Sequence, residues 1–219
     1  DQLRREWQLL VAAADSEARF EAGLSGFVEK IAALPRSREP RACPRVVVMG
    51  DFFTRFSPFF MDGVRDLYTG QGIILKPVDM TDLLHYHTYY GVADAASGWG
   101  MKPGGMALAK ACSRIFQQDG KRYLQHLFAY YLERRIEDGY RELFENTGLL
   151  VAGPNDAASL FEKAADHVSP EIYGEIVPTV GRGLEAEADG YNGIIIIGPF
   201  NCLPFRISEA ILKPLSIRQ

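Results

Sequence analysis

Cysteine is scarce in this 219-residue chain: Cys43, Cys112 and Cys202 stand far apart, and no CxxC pair occurs. Three thiols at such spacings argue against a disulfide framework as the organising principle, and a reducing compartment is expected. Charge of one sign is also lacking. Lys and Arg number 24 against 28 Asp and Glu, for a formal net charge of -4 without long runs of either sign. Nucleic-acid recognition needs clustered basic side chains to displace counterions, so that partner class is unsupported. Apolar runs extend only a few residues, and the first 20 residues carry Arg4, Arg5, Glu6, Asp15 and Glu17. Neither a membrane span nor a secretory signal fits, and a soluble, cytoplasmic protein is expected. No Walker GxxxxGK[ST] pattern occurs, and the stretch after the first expected strand is not a dinucleotide GxGxxG. Internal repeats and low-complexity tracts are missing too.

What is present is enough apolar side chain, 47%, to bury a substantial core. Residues 1–44 read as N-terminal helices and a linker, and residues 45–219 as one flavodoxin-like α/β domain. In the first segment, Leu3, Trp7, Leu10, Val11, Ala14, Phe20, Leu24, Phe27 and Ile31 recur at three- and four-residue spacings, which predicts one or two amphipathic helices. Pro35 to Pro44 breaks that pattern. Arg45 to Gly50 is then a short, continuous apolar run, as a strand buried on both faces of a parallel sheet requires.

Further strands are expected at Ile73 to Val78, Leu149 to Gly153 and Gly193 to Gly198. Helices are expected over about Phe59 to Gly70, Met106 to Phe116, Lys121 to Phe144, Asp156 to His167 and Tyr173 to Ala188, and from about Ile207. About four strands alternating with helices, with a helical insertion over residues 81–147, predict a doubly wound parallel sheet. The chain begins at Asp1 rather than Met and stops at Gln219 in what reads as an apolar helix without a capping Gly or Pro. It therefore reads as a piece of a longer protein.

Ligands of such sheets collect beyond the carboxyl ends of the strands. That rule selects four loops: Asp51 to Pro58, Met80 to Asp82, Pro154 to Asp156, and Pro199 to Phe205. The last contains Gly198-Pro-Phe-Asn-Cys-Leu-Pro-Phe205, where Cys202 leaves a strand and enters a helix. A thiol there faces the positive end of the helix dipole and unpaired N–H groups, an environment suited to thiolate chemistry, although free Cys is as commonly a buried structural residue. The first loop carries Asp51, Thr54, Arg55 and Ser57, and Arg55 offers paired donors for a phosphate or carboxylate. A polar loop with Ser57 as a helix cap explains the same spacing equally well. His85 and His87 are two residues apart and share no helix face, so Tyr86, Tyr89 and Tyr90 suggest a pocket or partner surface rather than a metal site. Glu171, Glu175, Glu185 and Glu187 lie on expected helices, where exposure is the default. Cys43 precedes the first strand and Cys112 falls within a helix, so neither is expected to join Cys202; an iron-sulfur cubane takes about four thiolates.

Several segments together resemble the cluster-binding component of 2-hydroxyacyl-CoA dehydratases and benzoyl-CoA reductases. They are more similar still to its copy at the C-terminal end of long CoA-substrate-specific enzyme activases. The residues that carry the resemblance are Gly50-Asp51 with Thr54-Arg55 and Ser57-Pro58, Tyr173-Gly-Glu175 before Val180-Gly181, Asp189-Gly-Tyr-Asn-Gly193, and Pro199-Phe200-Asn-Cys202-Leu-Pro204. Together they cover roughly residues 45 to 215.

The resemblance implies an oxygen-sensitive module of two or more flavodoxin-like domains sharing a 4Fe-4S-type cluster. Cys202 maps onto a cluster ligand, and Asp51, Arg55, Ser57, Glu175, Pro199 and Phe200 onto the cleft. Implied partners are a preceding cysteine-bearing domain or partner subunit, an ATP-dependent activator that supplies electrons, and an acyl-CoA. The preceding domain and the activator's ATPase sequence are not in this chain, so electron transfer is expected before dehydration or reduction, and no catalysis in isolation. The alternative is a non-catalytic docking domain with the same fold. A flavin binder is disfavoured, since no Ser/Thr/Gly-rich phosphate loop follows the first strand.

Overall fold

The computed structural model describes residues 2–13, 15–145, 147–150, 156–169 and 171–216. In chain order its elements are α1 (Gln2–Ala13), α2 (Glu17–Ala32), a 3-10 turn (Pro40–Ala42), β1 (Arg45–Gly50), α3 (Phe52–Phe56), α4 (Pro58–Gly70), β2 (Ile74–Pro77) and α5 (Met80–Ser97). There follow α6 (Gly105–Ser113), α7 (Gln118–Glu145), α8 (Ala157–Ala164), α9 (Ile176–Glu185), β3 (Gly193–Ile197) and α10 (Leu203–Ser216). The chain divides into two compact units, residues 1–43 with 136–153, and residues 44–135 with 154–219. The N-terminal helices are thus joined by the later part of α7, which the sequence pattern assigned to the α/β domain.

In the first unit the expected amphipathic segment forms two helices. Ser16 caps the second, its hydroxyl accepting from the Arg19 amide at 3.4 Å. The apolar stripes meet through rings: Trp7 packs on Phe20 and Phe27 at centroid distances of 6.3 and 5.5 Å, and Phe20 on Tyr140 at 6.2 Å. Leu24 and Val28 are buried, and Lys30 pairs with Glu6 at 2.9 Å.

In the second unit a three-stranded parallel sheet runs in the order β2-β1-β3. The central strand is the continuous apolar run, with Val47, Val48 and Met49 fully buried. Pro77, which donates no ladder hydrogen bond, lies on β2, at an edge of the described sheet. Three strands stand where about four were expected; the fourth, Leu149 to Gly153, lies largely outside the described residues. The expectation of α/β architecture holds in that coarse form. Two further differences have local causes. The stretch after β1 is a helix rather than a loop, because Asp51 caps it and Arg55 folds back onto Gly50. The last helix starts at Leu203 rather than near Ile207, since Pro204 in a first turn forfeits no hydrogen bond.

Packed helices supply the rest of the core. Tyr86 of α5 stacks on Phe161 of α8 at 5.4 Å, and both join Val177 and Val180 of α9. A second cluster joins Val92 and Ala96 of α5 to Ala107 and Ala111 of α6 and Tyr123 of α7. No helix among the described residues is long and apolar enough to cross a membrane.

Candidate functional site

The order β2-β1-β3 places the reversal of winding between β1 and β3, so the crevice of this sheet lies at their carboxyl ends. The two ends approach closely. The Asp51 amide donates to the Ile197 carbonyl at 2.8 Å, and Gly50 adopts φ +107, where a Cβ would lie 2.2 Å from that same oxygen. A Cβ on Gly198 would meet the Phe205 ring at 2.5 Å and Asp51 Cβ at 3.4 Å, so the loops after β1 and β3 pack on each other.

On the β1 side, Asp51 accepts from the Thr54 amide at 2.8 Å and from its hydroxyl at 2.6 Å. This cap winds α3 and turns Arg55 inward. Arg55 is only 5% exposed; its Nη1 donates to the Gly50 carbonyl at 2.7 Å, and its guanidinium lies 5.4 Å from the Phe56 ring and 6.0 Å from the Phe52 ring. Burial holds the guanidinium below its ordinary value against the opposing pull of Glu175 and Asp82. Ser57 occupies the cap position of α4 without a side-chain capping hydrogen bond.

Glu175, at the start of α9, is half-buried beside this arginine. Burial pushes its carboxyl above the usual range, Arg55 opposes that shift, and Asp51 adds to it. Arg55 and Glu175 line a small cavity of about 20 Å³ with Asp82, Thr179 and Arg182. Asp82 and Arg182 were not anticipated as partners. The loop Met80 to Asp82 did fall under the strand-end rule, but nothing in the sequence linked it to position 182.

On the β3 side, the Cys202 amide donates to the Pro199 carbonyl at 3.0 Å, and its own carbonyl accepts from the Arg206 amide at 3.2 Å, which makes it the N-cap of α10. Cys202 is partly exposed, and Pro199 and Phe200 are exposed. Arg206 fixes this loop, donating to the Phe200 carbonyl at 3.1 Å with its guanidinium 5.3 Å from the Phe200 ring. Around the edge the apolar surface is unusually bare: Phe53 is 69% exposed, Phe59 88% and Phe200 82%.

The structure therefore brings Asp51, Arg55 and Glu175 together, and sets Pro199, Phe200 and Cys202 on the neighbouring loop. It keeps the other thiols elsewhere. Cys43 closes the 3-10 turn, its Sγ donating to the Glu39 carbonyl at 3.6 Å, two residues before the amino end of β1; Cys112 is exposed on α6. Among the described residues no three His, Cys, Asp or Glu side chains gather as a metal site. A cubane takes about four thiolates, and this donor set, with Cys202 the one thiol on these loops, does not make a complete one.

The histidine pair behaves as its spacing predicts. His85 is buried edge-on to Tyr130 at 6.0 Å, whereas His87 is exposed and its Nδ1 lies 2.9 Å from the Tyr173 hydroxyl. The glutamates divide: Glu171 and Glu187 are exposed as expected, but Glu185 is buried, pairing with Lys163 at 2.9 Å and Arg182 at 3.3 Å.

Comparisons with family models, with curated proteins and with solved structures found no match to this chain.

Proposed function

We propose that this chain is one half of a shared iron-sulfur module, in which Cys202 supplies one ligand of a 4Fe-4S-type cluster and a cysteine-bearing domain or partner subunit supplies the others. The carrying observation is the position of Cys202: a partly exposed thiol at the carboxyl end of β3, beside the end of central β1. Support comes also from the resemblance of residues 45 to 215, strongest in Pro199-Phe-Asn-Cys-Leu-Pro204. A shared cluster needs a second protein surface over this edge, and the bare rings of Phe53, Phe59 and Phe200 suit burial under one. On this reading the chain is cytoplasmic, handles electrons delivered by an ATP-dependent activator, and serves an acyl-CoA dehydration or reduction without catalysing it alone. In such a module the cluster carries the electron. Arg206 and the turn at Pro199 hold the Cys202 backbone in place, and Asp51 packs that loop against β1.

The same bare rings favour a second reading, a docking domain whose partner covers the edge without any cluster. Anaerobic isolation of the tagged chain from its own cells, with its companions and with iron and sulfide quantified, separates the two. Iron and sulfide that fall away with Cys202→Ser support the cluster module. An iron-free complex, or metal indifferent to that substitution, leaves the docking domain.

A further inference from the structure

The tyrosine-rich stretch of α5 has no role in the cluster reading, yet its rings join a continuous line through the second unit. Tyr173, 62% exposed, packs on Tyr90 at a centroid distance of 5.1 Å, and Tyr90 on Phe161 at 6.5 Å. Phe161 meets Tyr89 at 5.2 Å, and Tyr89 meets the buried ring of Tyr130 at 5.1 Å. The exposed ring of Tyr131 lies 5.7 Å beyond. These are separations of rings in contact. The phenols at the two ends each have a base within hydrogen-bond reach: Tyr130 donates to Asp156 Oδ1 at 2.8 Å, and the Tyr173 hydroxyl lies 2.9 Å from His87 Nδ1. Burial pushes the Tyr130 phenol up to about 12, so it does not ionise at neutral pH. A phenoxyl radical is uncharged, and burial does not oppose the departure of electron and proton together. Against burial, the Tyr130 hydroxyl and Arg134 hold the Asp156 carboxyl below its ordinary value, so a carboxylate waits for that proton.

We propose that these rings form a relay that carries one-electron oxidising equivalents from buried Tyr130 outward to exposed Tyr173. In the first step Tyr130 gives one electron to a one-electron oxidant, an organic radical or oxidised metal complex resting on the Tyr131 ring, and its proton to Asp156. The products are the Tyr130 phenoxyl radical and a neutral carboxylic acid. In the second step Tyr173 supplies one electron through the rings of Tyr90, Phe161 and Tyr89; Tyr130 accepts it and takes its proton back from Asp156. The Tyr173 proton passes to His87 Nδ1, which requires the tautomer with hydrogen on Nε2. Imidazole is a stronger base than a carboxylate, so the proton exchange favours the radical at Tyr173. There a thiolate in solution returns one electron and leaves as a thiyl radical, and His87 returns the proton. The relay stands independently of Cys202 and of any cluster.

A tethered photo-oxidant tests this. A ruthenium polypyridyl complex is attached to Phe128→Cys, an exposed position one turn before Tyr131, in a chain whose Cys43, Cys112 and Cys202 are replaced by Ser. After a flash with a cobalt(III) pentaammine acceptor, freeze-quenched electron paramagnetic resonance is expected to show a neutral tyrosyl radical at Tyr173. Tyr173→Phe shifts that signal to the line shape of Tyr130. His87→Gln keeps an acceptor oxygen but takes no proton, and it is expected to strand the radical at Tyr130 as well. Both substitutions are at exposed positions, where the fold does not depend on the side chain. Mercaptoethanol quenches the radical quickly in the chain that retains Tyr173 and His87, and slowly in either variant. A signal that neither substitution moves, or a radical that stays on Tyr131 or Tyr130 with Tyr173 and His87 in place, overturns the proposal.

Discussion

Asp82 and Arg182 meet across 100 residues of sequence as a two-pronged ion pair, Nη2 lying 3.1 and 3.0 Å from the two carboxylate oxygens. Both side chains are buried, and the same guanidinium reaches Glu185 at 3.3 Å and Asp189 at 3.4 Å. Burial alone would lower the guanidinium's affinity for its proton; Asp82 and Glu185 more than restore it. The pair ties the start of α5 to α9 and closes one wall of the small cavity. Arg182→Met leaves buried carboxylates without their cation and is expected to cost about 3 to 5 kcal/mol. Chemical denaturation measures it. Asp82→Leu combined with Arg182→Met is expected to recover part of that loss, since an apolar pair of similar volume removes the stranded charge.

Gly50→Ala forces a Cβ against the Ile197 carbonyl and a side chain into a left-handed backbone. The conformational strain alone is about 1 to 3 kcal/mol. Because the clash falls where β1 and β3 converge, thermal melting should show the loss, and amide exchange should rise first at Asp51, whose N–H bonds that carbonyl. Gly181→Ala, with a Cβ 2.5 Å from the Leu160 carbonyl, is expected to part α8 from α9 and to lower the melting temperature while leaving the Asp51 amide protected.

Glu175 carries a pH signature. Its carboxyl holds a proton more tightly in the folded chain than its ordinary value of 4.5. In the window above that value the folded state binds more protons than the unfolded state, so this residue's contribution to stability falls as pH rises through the window. Glu175→Gln is expected to remove that decline and to leave the chain at least as stable at neutral pH. Denaturation midpoints of both forms between acid and neutral pH provide the check; a variant markedly less stable at neutral pH would show that the charged form, paired with Arg55, is the one the fold needs.

The three strands of the described sheet were legible as strong local patterns: β1, β2 and β3 fall on the short apolar runs expected at Arg45 to Gly50, Ile73 to Val78 and Gly193 to Gly198. Long helices with strong periodicity were legible for the same reason. The five residues of α3 are too few to display a period, so Asp51 to Pro58 reads as a loop, and Arg55, read there as offering paired donors for a phosphate or carboxylate, is buried on a short helix. Glu185 was misread for a related reason: exposure is the default for a helical glutamate, and its partners Lys163 and Arg182 are not marked by pattern. For the site, the strand-end rule located Asp51, Asp82 and Cys202 because it depends on topology alone. It could not foresee the Asp82 to Arg182 pair, which depends on how α9 packs.

The central claim, that Cys202 is one ligand of a shared cluster, is tested most directly by anaerobic electron paramagnetic resonance on the chain isolated with its companions, compared with Cys202→Ser and with Cys112→Ser as a control at an exposed position of α6. The account predicts a reduced-cluster signal in the unaltered complex, lost or shifted in Cys202→Ser and unchanged in Cys112→Ser. A complex without iron, or a signal that Cys202→Ser leaves as it was, would contradict it.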